Sequence, residues 1–368
     1  MGRGSIVYLG GFELPDKNAA AHRVISNAKL LREMGFDVIL LGVTKGEGCG
    51  AFRFDGFLCR CIKYPRGVWQ WLYHINHFIP VEEIKQYSPR YIVLYNFPAV
   101  ASLNIIRYFK KDHVKVIHDL TEWEETPGWT LRNVIKRFDT TLRMHYCIRQ
   151  MDGVIAISRY LYNYYCKKVP TILVPPTVDL EDPKWMRNRA LVSNCPRTLI
   201  YAGSPGGGMK DRLDLIVDII KKEPQFRLVI VGLNEDQFYE SFRRPKEHYD
   251  NIVFRGRLPH EDTLRLVCMA DFQMLIRDKK RKNDAGFPTK LAESMACGIP
   301  VITTVFSNVT DYVQDGTNGF IVNHGINDVL TRIQSLTSAD IVEMKQKCID
   351  DYRFDYRNYK KEFSILFK

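Results

Sequence analysis

Short, nearly continuous apolar runs alternate in the first half of the chain with stretches whose apolar residues recur at helical spacing. Residues 19–34 predict a helix, and Gly35 lies where a glycine commonly follows a helix end. Strands that are apolar on both faces are typical of a parallel sheet covered by helices on either side. The runs predict strands at 5–9, 38–43, 91–95, 114–118 and 153–157.

The same alternation begins again near residue 198, which predicts a second doubly wound sheet. Between the two series, residues 175–196 contain four prolines and no sustained period, so we interpret them as a linker. The predicted domains are 1–180 and 181–350, followed by a terminal helix at 351–368 that caps the second domain or crosses back to the first. The second series predicts strands at 198–202, 227–231, 252–254, 272–275, 300–304 and 319–322.

Composition narrows the class of protein. The 368 residues are 45% hydrophobic and 26% charged, which indicates globular domains, and no run approaches the roughly 18 apolar residues of a membrane span. The nine cysteines are odd in number and form no CxxC pair, so neither a disulfide framework nor a zinc ribbon is expected. The N-terminus leads directly into a strand without a signal-peptide pattern, so a cytoplasmic protein is expected.

The formal net charge is +11, with slightly more of the excess in the first half. Such a charge suits phosphates, anionic lipid or nucleic acid, and by itself does not choose among them. No basic-aromatic motif of a nucleic-acid module occurs, so no nucleic-acid partner is expected. The aromatic segment 65–80 predicts a core helix, with an interfacial patch facing a membrane or a lipid-linked acceptor as the alternative.

The segment 283–302 is the most informative part of the chain, because it predicts a loop, a helix and a buried strand in succession. Pro288 fits the first helical turn, and Gly298 fits the position after the last. The free amides of Phe287, Thr289 and Lys290 would point at an anion such as a pyrophosphate, and Lys290 adds a charge. One turn further on, the carboxylate of Glu293 could accept two hydrogen bonds from a diol. An ordinary helix with a surface glutamate is the alternative.

This segment also carries a resemblance. Gly286-Phe287-Pro288, Glu293 and MACGIPVI at 295–302 resemble the donor-site motif of the retaining glycosyltransferase family numbered four, the glycosyl transferases group 1. Further segments resemble the same family in the same order, so that the resemblance extends over most of the chain: 152–158, 174–179, 251–258 and 311–320. The resemblance implies the GT-B fold, in which two Rossmann-like α/β domains face a cleft, the first on the acceptor side and the second binding the nucleotide sugar.

The resemblance also implies roles for individual residues. Glu293 would hold the ribose of the donor, and the amides that follow Gly286-Phe287-Pro288 would hold its diphosphate. Arg257 would lie in the loop beside the base. His118 would contact the donor sugar, and Asp119 would face the acceptor. Gly11, in the first loop, would allow the diphosphate to come close.

The sequence departs from the family pattern at two positions. The first glutamate of the motif falls at Ala285, with Asp284 beside it, so either Asp284 substitutes or sugar recognition differs. Of the basic pair expected on the diphosphate, Lys210 matches the lysine, whereas Ser204 stands at the arginine position. Arg277, after the strand 272–275, could supply the missing charge.

The implied activity is transfer of a sugar, with retention, from a nucleoside-diphosphate sugar to a hydroxyl of a glycan or lipid-linked acceptor, in surface polysaccharide or glycoconjugate synthesis. UDP is favoured over GDP, and no metal or further cofactor is expected. Peripheral contact at the inner face of the membrane is a further expectation. The rival hypotheses are an inverting GT-B transferase with Asp119 or His22 as base, a nucleotide-sugar epimerase, and a non-catalytic GT-B partner subunit, which Ala285 and Ser204 favour.

Overall fold

A computed structural model describes residues 3–15, 18–46, 49–126, 128–186, 189–203 and 210–368. The chain divides into two compact units. The first comprises Met1–Thr177, Ala285–Phe287 and Tyr356–Lys368, and the second comprises Val178–Asp284 and Pro288–Asp355. None of the described helices is long and apolar enough to cross a bilayer.

Strands and helices alternate through the first unit. Its strands are β1 Ser5–Gly10, β2 Asp37–Thr44, β3 Cys49–Phe54, β4 Phe57–Lys63, β5 Pro89–Tyr95, β6 Lys115–Leu120, β7 Gly153–Ala156 and β8 Thr171–Leu173. Its first six helices are α1 Ala19–Glu33, α2 Val68–Asn76, α3 Val81–Lys85, α4 Ala99–Phe109, α5 Leu131–His145 and α6 Arg159–Tyr165. Short 3-10 turns follow α4 and α5, at Lys110–Asp112 and Cys147–Gln150.

The described strands of this unit form one sheet in the order β3-β4-β2-β1-β5-β6-β7-β8. All neighbours are parallel except β3 and β4, which form an antiparallel hairpin at the edge. The chain order therefore reverses between β1 and β5. In doubly wound sheets, ligands bind beyond the carboxyl ends of the strands at such a reversal.

The second unit repeats the plan with a six-stranded parallel sheet. The described strands lie in the order β11-β10-β9-β12-β13-β14, so the reversal lies between β9 and β12. The strands are β9 Arg197–Ala202, β10 Phe226–Val231, β11 Ile252–Phe254, β12 Phe272–Leu275, β13 Val301–Thr304 and β14 Gly319–Val322. The helices are α7 Pro183–Met186, α8 Leu213–Ile220, α9 Glu235–Phe242, α10 His260–Cys268, α11 Arg281–Ala285, α12 Thr289–Ala296, α13 Ile326–Gln334 and α14 Ser338–Ile349.

The end of the chain packs on the first unit. A 3-10 turn at Val309–Asp311 lies between β13 and β14. Near the end of the chain, 3-10 turns at Tyr352–Phe354 and Tyr356–Tyr359 precede helix α15. Because α15 covers only Lys360–Leu366, the predicted helix over 351–368 is too long. Phe363, Leu366 and Phe367 lie in the core formed by β1, β2 and α1. The hydroxyl of Tyr91 donates to the carbonyl of Lys368 over 2.9 Å.

The eleven predicted strands are all present, with ends displaced by at most a few residues. The hairpin β3–β4 and the short strand β8 were not predicted. In β4 buried and half-buried residues alternate, so it lacks the continuous apolar run on which the prediction relied. The predicted core helix in the segment 65–80 is wrong in its environment: α2 forms, but none of its residues is buried.

Candidate functional site

Four polar side chains of the second unit meet at the reversal between β9 and β12. Tyr201 is the penultimate residue of β9, and Asp211 lies just before α8. Arg277 follows β12 by two positions, and Lys290 lies in the first turn of α12. Because the carboxyl ends of parallel strands share one edge of the sheet, residues distant in sequence come together here.

Asp211 is the centre of this cluster and is only 1% exposed. Its Oδ2 accepts hydrogen bonds from the hydroxyl of Tyr201, over 2.7 Å, and from Nζ of Lys290. Its Oδ1 accepts from Nε of Arg277. Lys290 Nζ also lies 2.9 Å from the hydroxyl of Tyr201. One buried carboxylate thus fixes the positions of two cationic side chains.

The cluster holds two cationic side chains and one carboxylate, and their proximity and burial shift the pKa values of Asp211 and Lys290. Burial acts to raise the pKa of Asp211, but Lys290 and Arg277 outweigh it and hold that pKa at about 2. Burial lowers the pKa of Lys290 in spite of the nearby carboxylate, and Arg277 lowers it further. Two cations therefore share one carboxylate, and a second anion beside Lys290 would favour its charged form.

Local sequence explains how the two cations are held. Gly203 has φ +126°, and a Cβ there would lie 2.5 Å from Cε of Lys290, so the lysine stem occupies the space of a side chain. The backbone N–H of Arg277 donates to the hydroxyl of Thr304, at the end of β13, and that hydroxyl donates to the carbonyl of Arg277. The backbone of Arg277 is thus fixed against the end of β13.

Helix α12 begins one residue later than predicted, because Pro288 precedes the helix as its N-cap. Thr289 and Lys290 occupy its first two positions, whose amides have no partner within a helix. At the other end Gly298 has φ +76° and the predicted place after the helix. Glu293 is half-buried, with a carboxylate oxygen 3.8 Å from Nε2 of His260.

Asp119 lies in the core of the first unit, where neighbouring side chains bind its carboxylate. Arg23 approaches it with Nε, over 3.0 Å, and with a terminal nitrogen, over 2.7 Å. The hydroxyl of Tyr8 donates to it as well, and Asn27 lies within 3.4 Å. Arg23 also donates to the carbonyl of Val174, over 3.0 Å, which ties α1 to the segment after β8.

His118, on the same strand β6, differs from its neighbour. Its side chain is fully buried, and neither ring nitrogen has a hydrogen-bond partner among the described residues. Burial, reinforced by the charge of Arg143, lowers the pKa of His118 to about 3. The imidazole is therefore neutral at physiological pH.

The structure also gives the positions of the other predicted residues that it describes. Asp284 accepts a hydrogen bond from the backbone N–H of Ser307 over 2.8 Å. Arg257 is exposed between β11 and α10, and Lys210 is half-buried and precedes Asp211 in the chain.

Gly11 is exposed after β1, whereas Gly286 and Phe287 are buried and belong to the first unit. Ser204 lies outside the described residues.

Sequence reasoning missed Asp211, Tyr201 and Arg23. Asp211 directly follows the predicted Lys210, and an acidic residue beside a predicted phosphate loop was a usable signal. Tyr201 and Arg23 lie in a predicted strand and helix, where single polar side chains give no sign of their tertiary partners.

Comparison with known proteins relates part of this chain to a glycosyltransferase family. The family "Glycosyl transferases group 1" matches residues 205–353. N-acetyl-alpha-D-glucosaminyl L-malate synthase of Bacillus anthracis is 24% identical over 196 residues. That match covers 48% of each protein, so the chain spans about half the length of this curated relative.

Two solved structures resemble nearly the whole chain. Sucrose-phosphate synthase of Thermosynechococcus elongatus has a TM-score of 0.74 at 14% identity, over 99% of this chain and 98% of that one. HepE of Anabaena, solved in complex with UDP and glucose, has a TM-score of 0.65 at 15% identity, over 98% of both chains. The fold is that of a GT-B glycosyltransferase. The family match confirms the predicted resemblance to the group 1 glycosyltransferases, and the solved structures confirm the predicted fold class.

Proposed function

We propose that this protein transfers a sugar, with retention, from a nucleoside-diphosphate sugar to a hydroxyl of a glycan or lipid-linked acceptor, in surface polysaccharide or glycoconjugate synthesis. The observation that carries the proposal is the pair of cations, Lys290 and Arg277, held by Asp211 at the carboxyl edge of the second sheet. The complex of HepE with UDP and glucose supports UDP as the nucleotide.

In this proposal the cluster stabilises the leaving group. The bond between the anomeric carbon and the phosphate oxygen breaks as the acceptor oxygen bonds to the same face of the sugar. The acceptor proton passes to the departing phosphate oxygen. Negative charge grows on the diphosphate, where Lys290, Arg277, Lys210 and the first amides of α12 would lower the barrier electrostatically.

We further propose that His118 meets a hydroxyl of the sugar. Its neutral imidazole has a donor and an acceptor, and neither has a partner among the described residues. Asp284 is a weaker substitute for the missing motif glutamate, because one of its oxygens already accepts from the amide of Ser307.

A thermal-shift screen of the purified chain with UDP, GDP, ADP, CMP and dTDP sugars, each with and without EDTA, tests the donor site. We expect the UDP sugars to raise the melting temperature, and EDTA to leave the shift unchanged. Release of UDP from the responding sugar nucleotide by the chain alone would show catalysis. No shift with any nucleotide would instead favour the non-catalytic partner hypothesis.

Glu293→Ala is expected to weaken nucleotide binding by about 1–3 kcal/mol, the scale of lost charge-assisted hydrogen bonds to the ribose diol. Isothermal titration calorimetry with UDP measures this loss. The matched control is Glu343→Ala, which removes an exposed glutamate of α14 that pairs with Lys347. Equal affinity of both variants and the wild type would refute the ribose role.

A further inference from the structure

Helix α5 carries an exposed apolar face. Leu131 is 78% exposed and Phe138 is 65% exposed, and Val134 between them is exposed as well. These residues are spaced by three and four positions, so they lie along one side of the helix. Trp129, just before the helix, is 85% exposed, and the guanidinium of Arg137 lies 4.9 Å from its ring centre.

A second exposed apolar segment belongs to the same unit. In α2, Trp69 is 83% exposed, and Val68 and Tyr73 are also exposed. Both helices pack against α4. Asn104 of α4 donates to the carbonyl of Asn76 at the end of α2, and the amide of Ala99 donates to Asp139 of α5. We call the exposed residues Trp69, Tyr73, Trp129, Leu131 and Phe138 the α2–α5 face.

The charge around the α2–α5 face is positive. Residues 128–150 contain five basic residues and one acidic residue, a balance of +4, and the acidic one, Asp139, bonds to α4. Residues 56–81 contain no acidic residue, and Lys63 and Arg66 there are exposed. The glutamates at 122, 124 and 125 precede this region in the chain.

We propose that the α2–α5 face docks on an anionic lipid bilayer, with its tryptophans, Leu131 and Phe138 inserted at the level of the headgroups. Exposed tryptophans are unfavourable in water and favourable at a membrane interface, where the ring is buried and its N–H stays wet. Amphipathic helices with apolar anchors and flanking basic residues bind in the plane of such interfaces. The inference goes beyond the proposed reaction, because it holds for any donor and any transferred sugar.

Co-sedimentation of the full chain with vesicles tests the proposal. We expect binding to phosphatidylcholine vesicles containing about a third phosphatidylglycerol, weak binding to phosphatidylcholine alone, and release of part of the bound protein at about 0.5 M NaCl. Tryptophan emission should shift to the blue on binding to the anionic vesicles. Failure to bind the anionic vesicles would overturn the proposal.

Variants locate the surface. Trp69→Ser/Trp129→Ser/Leu131→Ser/Phe138→Ser is expected to weaken binding about tenfold or more, and Lys63→Glu/Arg132→Glu should weaken it at low salt. The control, Met269→Ser/Ile365→Ser, removes apolar residues exposed elsewhere and should bind like the wild type. Equal binding by the fourfold variant would overturn the proposal.

A second copy of the chain is the rival occupant of the face. Concentration-dependent dimers in light scattering that disappear in the fourfold variant would likewise overturn the membrane proposal. The melting-temperature shift with UDP sugar should persist in the fourfold variant. That readout checks folding and separates failure of the docking proposal from failure of the proposed donor site.

Discussion

Asp211→Ala is expected to lower the free energy of unfolding by about 3–5 kcal/mol, because it leaves the largely buried Lys290 and Arg277 without their shared carboxylate. It should also reduce turnover, since neither cation would be held at the carboxyl edge of the sheet. Urea unfolding followed by circular dichroism measures the stability, and release of UDP measures the turnover.

Asp315→Ala is the matched control for this prediction. Asp315 pairs with Arg332 in the same unit, but both side chains are more than a third exposed, so its loss should cost about 1 kcal/mol or less. Similar small losses in both variants would show that the cluster around Asp211 contributes little to folding.

The pH dependence gives a further test of the same residue. The pKa of Asp211 lies at about 2 in the folded protein, below its ordinary value of 3.8. A lowered folded-state pKa contributes stability that is present above the ordinary value and is lost as the pH falls toward 2. Asp211→Asn keeps the shape and removes this contribution, so wild type and variant should differ less in stability near pH 3 than at pH 6.

The second large effect is expected at Asp119. Asp119→Ala should lower the free energy of unfolding by about 3–5 kcal/mol, because it leaves the guanidinium of Arg23 buried without a counter-charge. Urea unfolding again provides the measurement. Arg23→Met/Asp119→Leu should recover part of the loss, because no unpaired charge then remains in the core.

Asp119→Asn separates a structural role from a catalytic one. If Asp119 serves as the counter-ion of Arg23, as its buried contacts indicate, stability and turnover should fall together. A variant with normal stability and strongly reduced turnover would instead support the acceptor-side role that the family resemblance implies for Asp119.

The sequence by itself determined the two doubly wound sheets and the helix after Gly286, whose start it placed one residue too early, at Pro288. Buried parallel strands require apolar residues on both faces, and a helix start needs its own local residues, so both leave continuous local signals. The hairpin β3–β4 was not predicted because buried and half-buried residues alternate in β4, which leaves no continuous apolar run. Segment 65–80 reads as a core helix because hydrophobic spacing records a face but not what covers it.

Only the tertiary structure decided which polar groups work together. Asp211 lies 10 positions from Tyr201, 66 from Arg277 and 79 from Lys290, and no local pattern links them. Asp119 and Arg23 are separated by 96 positions. Sheet order brings these side chains within hydrogen-bond distance, and burial then fixes their charges, because a charge removed from water must be neutralised by whatever group the fold places beside it.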